Sequence, residues 1–339
     1  MGCGGIGGVV AAHLAELGAE VHAVARNPLV IDAVARQGYR VVGEAGKRTV
    51  PARIHATVPT GQFDFVLLAT QPTDVEGAAR QAAPALAPDG HMVCFQNGLC
   101  EDRVAAILGD PRRVIGGIVA WGASMVEPGV FDKTSAGGFV LGGHGVDPAA
   151  MERLDALLSC IGPVDRTENL AGARWSKLAL NCVISSLGTL NGSTLGRAVR
   201  SRTVRRLALE IITEVVAVAR AAGVRLEKVA GTLDLDWIAL SEVERQQVGS
   251  VSLATKHAML LAVGLRYRRL RSSMLRAIEA GRTPAIDFLN GEIVARAPRF
   301  EVPVPVNQAI VERVWAVARG ELQPGPALLA DLYERTRTT

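Results

Sequence analysis

The chain opens with Gly2-Cys3-Gly4-Gly5-Ile6-Gly7-Gly8, a G-x-G-x-x-G run. Nothing else in the sequence constrains the fold as much. A loop of this kind lets backbone N–H groups approach a pyrophosphate where a helix begins and its dipole favours negative charge. Gly2 permits the tight turn, Gly4 the close approach, and Gly7 the packing of helix on sheet. The pattern alone is weak, because glycine-rich hexads arise by chance. Its surroundings strengthen it. Residues 9–17 read as an alanine-rich helix stopped by Gly18, and residues 20–25 as a strand. Loop, helix and strand together make a dinucleotide-binding βαβ unit. The first strand of such a unit should precede Gly2, yet only Met1 stands there. The expectation is therefore a natural start about six residues upstream, a typical strand length. Intact-mass measurement of the native protein checks this, and a mass that begins at Met1 refutes it.

From residue 1 to about 165, short apolar runs alternate with helical stretches. Residues 63–69, 91–95, 114–120 and 138–142 read as strands, and 74–86, 101–108 and 148–159 as helices. Asn97-Gly98 and Glu127-Pro128-Gly129 read as turns. This alternation predicts a doubly wound α/β layer. From about Leu170 the texture changes to alanine-, leucine- and arginine-rich stretches. Segments 171–190, 196–222, 251–263, 269–281, 284–299 and 306–319 read as helices. Gly223, Gly281 and Gly320 suit their C-caps, and Pro284 suits a first turn. The expected layout is a Rossmann-type dinucleotide-binding domain over 1–166, an all-helical domain over 167–330, and a tail over 331–339.

Composition narrows the function classes. A net charge of +4 over 339 residues gives little ground for nucleic acid. The arginine clusters at 197–206 and 266–271 read as solvated helix faces. No apolar run reaches the ~20 residues of a membrane span, and no signal peptide is visible, so a cytoplasmic protein is expected. The five cysteines lack C-x-x-C spacing, and the six histidines are scattered; no metal site or disulfide framework is expected.

One helix stands apart. In residues 174–187, Lys177, Asn181 and Ser185 recur at i, i+4 and i+8 of an otherwise apolar cylinder, which places them in one stripe. A buried lysine costs several kcal/mol unless it faces a partner or a polar cleft. The stripe reads either as the wall of a cleft for an oxygen-rich ligand or as a lysine snorkelling to solvent.

The glycine loop, Gln96-Asn97-Gly98-Leu99, Trp175-x-Lys177-Leu178-x-x-Asn181, Ser272-Ser273-Met274-Leu275 and Ile286-Asp287-x-x-Asn290-Gly291 together resemble the ketopantoate reductase family, in that order and over nearly the whole chain. The resemblance implies a Rossmann-type domain, a helical domain, and reduction of a 2-oxo acid to the 2-hydroxy acid by NADPH. Hydride delivery to a ketone builds negative charge on its oxygen, and a nearby cation able to donate a proton lowers that barrier. Lys177 suits that task as general acid, with Asn181 holding a substrate hydroxyl or the amine. The resemblance places Asn97 near nicotinamide and substrate, Ser185 beside the substrate, and Ser272 and Ser273 at its carboxylate; the two serines also suit a helix N-cap. Gly2, Cys3, Gly4, Gly5, Ile6, Gly7, Arg26, Gln71 and Asn97 make the expected cofactor set. Arg26 follows the second strand, where NAD sites place an acid and NADP sites an arginine. NADP(H) is therefore the expected cofactor.

Three departures concern substrate. Gln71 replaces the family's usual lysine, Ser185 stands where asparagine is frequent, and Ala285 replaces the glutamate that binds substrate hydroxyls. The segment 226–269 also looks longer than in compact members. These changes suggest a divergent paralogue. The expected partner is a small oxo acid, with a homodimer left open. Two alternatives stay open: a reductase of the β-hydroxyacid dehydrogenase type, and a non-catalytic NADP(H)-binding sensor.

Overall fold

The computed structural model describes residues 1–339 except 229–232, 247–248, 267 and 338–339. The chain divides into two units, Met1–Leu170 and Ala171–Thr339.

The strands of the first unit are β1 (Ala23–Val24), β2 (Tyr39–Gly43), β3 (Arg48–Val50), β4 (Ile54–His55), β5 (Phe63–Leu68), β6 (Leu86–Cys94), β7 (Val114–Val119), β8 (Ala123–Glu127), β9 (Val130–Lys133), β10 (Phe139–Gly142) and β11 (Val164–Arg166). Its helices are α1 (Gly5–Glu16), α2 (Pro28–Gln37), α3 (Val75–Ala82), α4 (Glu101–Leu108) and α5 (Pro148–Leu158). The main sheet runs β11-β10-β7-β6-β5, with β5, β6 and β7 parallel and β10 antiparallel to β7. Parallel β1-β4 forms a separate pair. Phe139, Leu141, Val93 and Ile115 from the main sheet meet Val9, Val10, Ala12 and Leu14 of α1 in one buried cluster.

The strand expected over 20–25 pairs only at Ala23 and Val24. Between β1 and β5, the first two residues supply the sheet's connection. The Met1 amine donates to the Leu67 carbonyl (2.8 Å), the Ala69 N–H to the Met1 carbonyl (2.8 Å), and the Gly2 N–H to the Val24 carbonyl (2.9 Å). Beside this bridge lies a cavity of about 690 Å3 lined by Val21, Ala23, Phe63, Phe65, Leu67 and Leu157, among others.

Residues 127–129, expected as a simple turn, do more than reverse the chain. They form the tip of a β8-β9 hairpin that joins β2 and β3 in a second sheet, ordered β3-β2-β9-β8. Helix α1 packs on this sheet. A Cβ on Gly8 would stand 2.2 Å from the Phe131 ring of β9, so glycine there sets the close approach.

The second unit, in its described residues, is helical: α6 (Leu170–Asn191), α7 (Leu195–Ala198), α8 (Arg202–Ala221), α9 (Leu235–Ile238), α10 (Glu242–Gln246), α11 (Val251–Arg266), α12 (Ser273–Glu279), α13 (Asn290–Arg296), α14 (Pro305–Ala318) and α15 (Pro326–Arg337). Several expected helices are shorter or broken. Segment 196–222 splits because Ser201 caps α8, accepting from the Val204 N–H. Segment 269–281 contracts to α12, capped by Ser272. Segment 284–299 becomes α13 flanked by two 3-10 turns, with Leu289 out of helical geometry at φ −117°, ψ −103°. The tail expected over 331–339 is corrected: residues 331–337 belong to α15, which buries Leu329 and Leu332, while 338–339 lie outside the described residues. Segment 226–269 lies partly outside them as well.

A buried polar network ties these helices together. The Glu214 carboxylate of α8 accepts from the Val306 and Asn307 N–H groups and from Asn307 Nδ2, at 2.7–2.9 Å. Those N–H groups open α14, where intrahelical partners are lacking. Asn290 Nδ2 donates onward to Asn307 Oδ1 (2.8 Å) and to the Cys182 carbonyl of α6 (3.4 Å). Burial pushes the Glu214 carboxyl up to about 7.

Candidate active site

In the first unit the glycine loop follows the Met1 bridge directly. Gly2 has φ +90°, and a Cβ there would meet Thr70 N at 2.8 Å, so glycine is required on two counts. Gly4 is the N-cap of α1 and makes no side-chain cap. A Cβ on Gly4 would meet nothing within 4 Å, so open space lies over the helix start. The first turn of α1 carries no acidic residue. Its leading N–H groups have no intrahelical acceptor and form the positive end of the helix dipole. These features fit a pyrophosphate. Cys3 is buried, and burial pushes its thiol up to about 12, so this residue can offer a ligand only its backbone. Ile6 is half-buried.

Three further loops follow the C-terminal ends of β1, β5 and β6. Arg26, after β1, extends an exposed guanidinium that donates to Asp74 Oδ2 at 2.8 Å. Gln71 is exposed just past β5. Asn97 is exposed past β6, beside the buried Gln96. Gln96 Nε2 donates to Thr70 Oγ1 (3.2 Å), which ties the ends of β5 and β6 together. The sequence reading gave neither Gln96 nor Asp74 a role. Gln96 stood within a quoted motif, but Asp74 carries no local signal.

In the second unit, α6 carries the polar stripe. From Arg174 to Leu190 every residue is buried except Lys177, Leu180, Asn181, Ile184 and Ser185, which are half-buried. The one accessible face of this helix is therefore the face that bears Lys177, Asn181 and Ser185. Asn181 Nδ2 is buried with no hydrogen-bond partner among the described residues. A buried amide donor left unpaired costs about 1–3 kcal/mol, so a ligand oxygen there recovers that cost.

The two serines part company. Ser272 is buried, and its hydroxyl is taken up internally. It caps α12 by accepting from the Leu275 N–H (3.3 Å), donates to the Ser185 carbonyl (2.9 Å) and lies 2.9 Å from Thr189 Oγ1. Ser273, the first residue of α12, is exposed. Ala285 is half-buried at the start of a 3-10 turn after Pro284. That turn is pinned by Asp287, whose Oδ1 accepts from Trp315 Nε1 at 2.9 Å, and is followed by Asn290 of α13, whose Nδ2 donates to the Cys182 carbonyl of α6 at 3.4 Å. Among the described residues no cluster of His, Cys, Asp and Glu could hold a metal, and no helix is long and apolar enough to cross a membrane.

Comparison with known proteins identifies the fold and the family. Residues 1–145 match the family described as ketopantoate reductase PanE/ApbA, and residues 169–318 match its C-terminal domain. A 2-dehydropantoate 2-reductase of Pyrococcus horikoshii is 24% identical over 323 residues, 95% of this chain and 96% of that protein. The crystal structure of a PanE/ApbA family ketopantoate reductase from Ralstonia eutropha JMP134 superposes with a TM-score of 0.78 at 26% identity, covering 94% of this chain and 97% of the other. D-mandelate dehydrogenase with NADH and anilino(oxo)acetate shares the fold, with a TM-score of 0.77 at 18% identity over 94% and 97% of the two chains. With both family segments matched along most of its length, the chain belongs to the ketopantoate reductase family of oxidoreductases.

Proposed function

We propose that this protein reduces a 2-oxo acid to the 2-hydroxy acid with NADPH, and that Lys177 is the general acid. The carrying observation is the α6 stripe: one accessible face on a buried helix, bearing an ammonium and an unpaired amide donor four residues apart. Gly2, Gly4 and the opening N–H groups of α1 would hold the pyrophosphate, and Arg26 the 2′-phosphate. Bound there, the dinucleotide would supply the hydride for the substrate's carbonyl carbon. As that carbon gains the C–H bond, the carbonyl π pair moves onto oxygen. Lys177 Nζ donates its proton to this oxygen and later recovers one from solvent. Asn181 Nδ2 donates to a substrate oxygen and orients it. Ser273 can reach a carboxylate without breaking an internal bond, whereas Ser272 holds α12 against α6 and shapes the site from behind.

The substrate is more apolar at the Ala285 end than ketopantoate. A methyl group cannot accept from a substrate hydroxyl, and residues 280–285, just ahead of Ile286, include no carboxylate. The test is NADPH oxidation against a panel of 2-oxo acids that includes ketopantoate and 2-oxoisovalerate. Turnover of at least one member, abolished by Lys177→Ala, supports the reading. Tight dinucleotide binding with no turnover of any member favours a sensor instead.

A further inference from the structure

Arg26 and Asp74, 48 positions apart in the sequence, meet in the fold. An arginine rather than an acid after the second strand of the fold favours NADPH. Here Arg26 follows β1, and no acid is near it in sequence. The tertiary structure supplies one: Asp74 Oδ2 lies 2.8 Å from Arg26 Nη2. Asp74 sits in the turn after β5, at the N-cap of α3, but its side chain makes no capping bond. Among the described residues its carboxylate accepts a hydrogen bond from Arg26 Nη2, while its backbone N–H donates to the Gln71 carbonyl at 3.0 Å. Residue 71 in the same turn is a neutral glutamine.

We propose that Asp74 is a specificity-determining residue that offsets Arg26 and lets this enzyme use NADH alongside NADPH. The inference rests on the dinucleotide reading above. A 2′-phosphate brings close to two negative charges at neutral pH. To reach Arg26 it must displace or stand beside the Asp74 carboxylate, and the repulsion offsets much of the attraction. A ribose 2′-hydroxyl has no such conflict. It can donate to Asp74 while Arg26 stays paired, which is the part an acid plays at the strand end in NAD sites.

The experiment measures dissociation constants of NADPH and NADH by calorimetry and by reduced-nicotinamide fluorescence, in wild type, Asp74→Asn and Asp74→Ala. Thermal melts check that each variant is folded. Wild type should prefer NADPH by less than about tenfold. Both variants should bind NADPH more tightly and NADH more weakly, raising the NADH-to-NADPH ratio of dissociation constants at least about fivefold. A merely structural role would move both affinities in the same direction. A ratio that rises less than this, stays unchanged or falls overturns the proposal while leaving the cofactor reading intact. Failure of wild type to bind either dinucleotide overturns that reading, and this inference with it.

Discussion

A Cβ placed on Gly7 would stand 2.0 Å from the carbonyl oxygen of Gly2. Helix α1 can therefore start against the loop only if residue 7 is glycine. Gly4 differs, because the space over it is open. Gly7→Ala should cost about 1–3 kcal/mol, the usual scale of overpacking, and should weaken dinucleotide binding as well. Gly4→Ala should leave the melting temperature unchanged and weaken dinucleotide binding alone. Melts with and without NADPH check both; a Gly4→Ala variant with full cofactor stabilisation would remove the loop from the site.

Lys177→Ala should lower kcat by about 100-fold or more, the ordinary scale for a general acid. The fold should persist, since Lys177 is half-buried on the accessible face of α6. Steady-state kinetics and a melt decide the matter. Near-normal turnover in a folded variant would assign proton donation elsewhere.

Ala285→Glu should raise kcat/KM for ketopantoate relative to 2-oxoisovalerate. A hydrophobic wall rejects an added hydroxyl by roughly 100-fold at most, whereas a dedicated hydrogen-bonding site can discriminate by 10⁴ or more. Wild type should therefore distinguish the two acids weakly. A strong wild-type preference for ketopantoate, unchanged in the variant, would mean another residue pairs with the hydroxyl.

Glu214 predicts a pH dependence of stability. Burial raises its folded-state pKa from 4.5 to about 7. Between those values the folded state binds more protons than the unfolded state, so stability falls as pH rises. The contribution is fully present below about pH 4.5 and is lost as pH rises through about 7. Its ceiling is on the order of 3 kcal/mol. Denaturation of wild type and Glu214→Gln across pH 5 to 8 should give a downward slope in wild type that flattens in the variant. Parallel slopes would show that Glu214 is ionised throughout.

The sequence by itself determined the features that depend on local spacing. Gly2, Gly4 and Gly7 are legible because a tight turn and a helix start are set within a few residues. The stripe of Lys177, Asn181 and Ser185 is legible because the 3.6-residue period fixes which side chains share a helix face. The change near Leu170 from alternating strands and helices to helix-rich stretches marked the two-part layout.

Tertiary structure alone decided the rest, because it depends on which distant segments meet. The cap by Ser201 and the unusual backbone at Leu289 broke helices that composition made continuous. Burial of Leu329 and Leu332 turned an expected tail into α15. The contacts of the Ser272 hydroxyl with the Ser185 carbonyl and Thr189 Oγ1 join segments more than 80 residues apart. The Arg26–Asp74 pair joins two loops through the order of β1 and β5, and no pattern within either loop announces it. Periodicity records the environment along one element; a charge meeting its counter-charge across a sheet records topology, which is fixed only when the whole core closes.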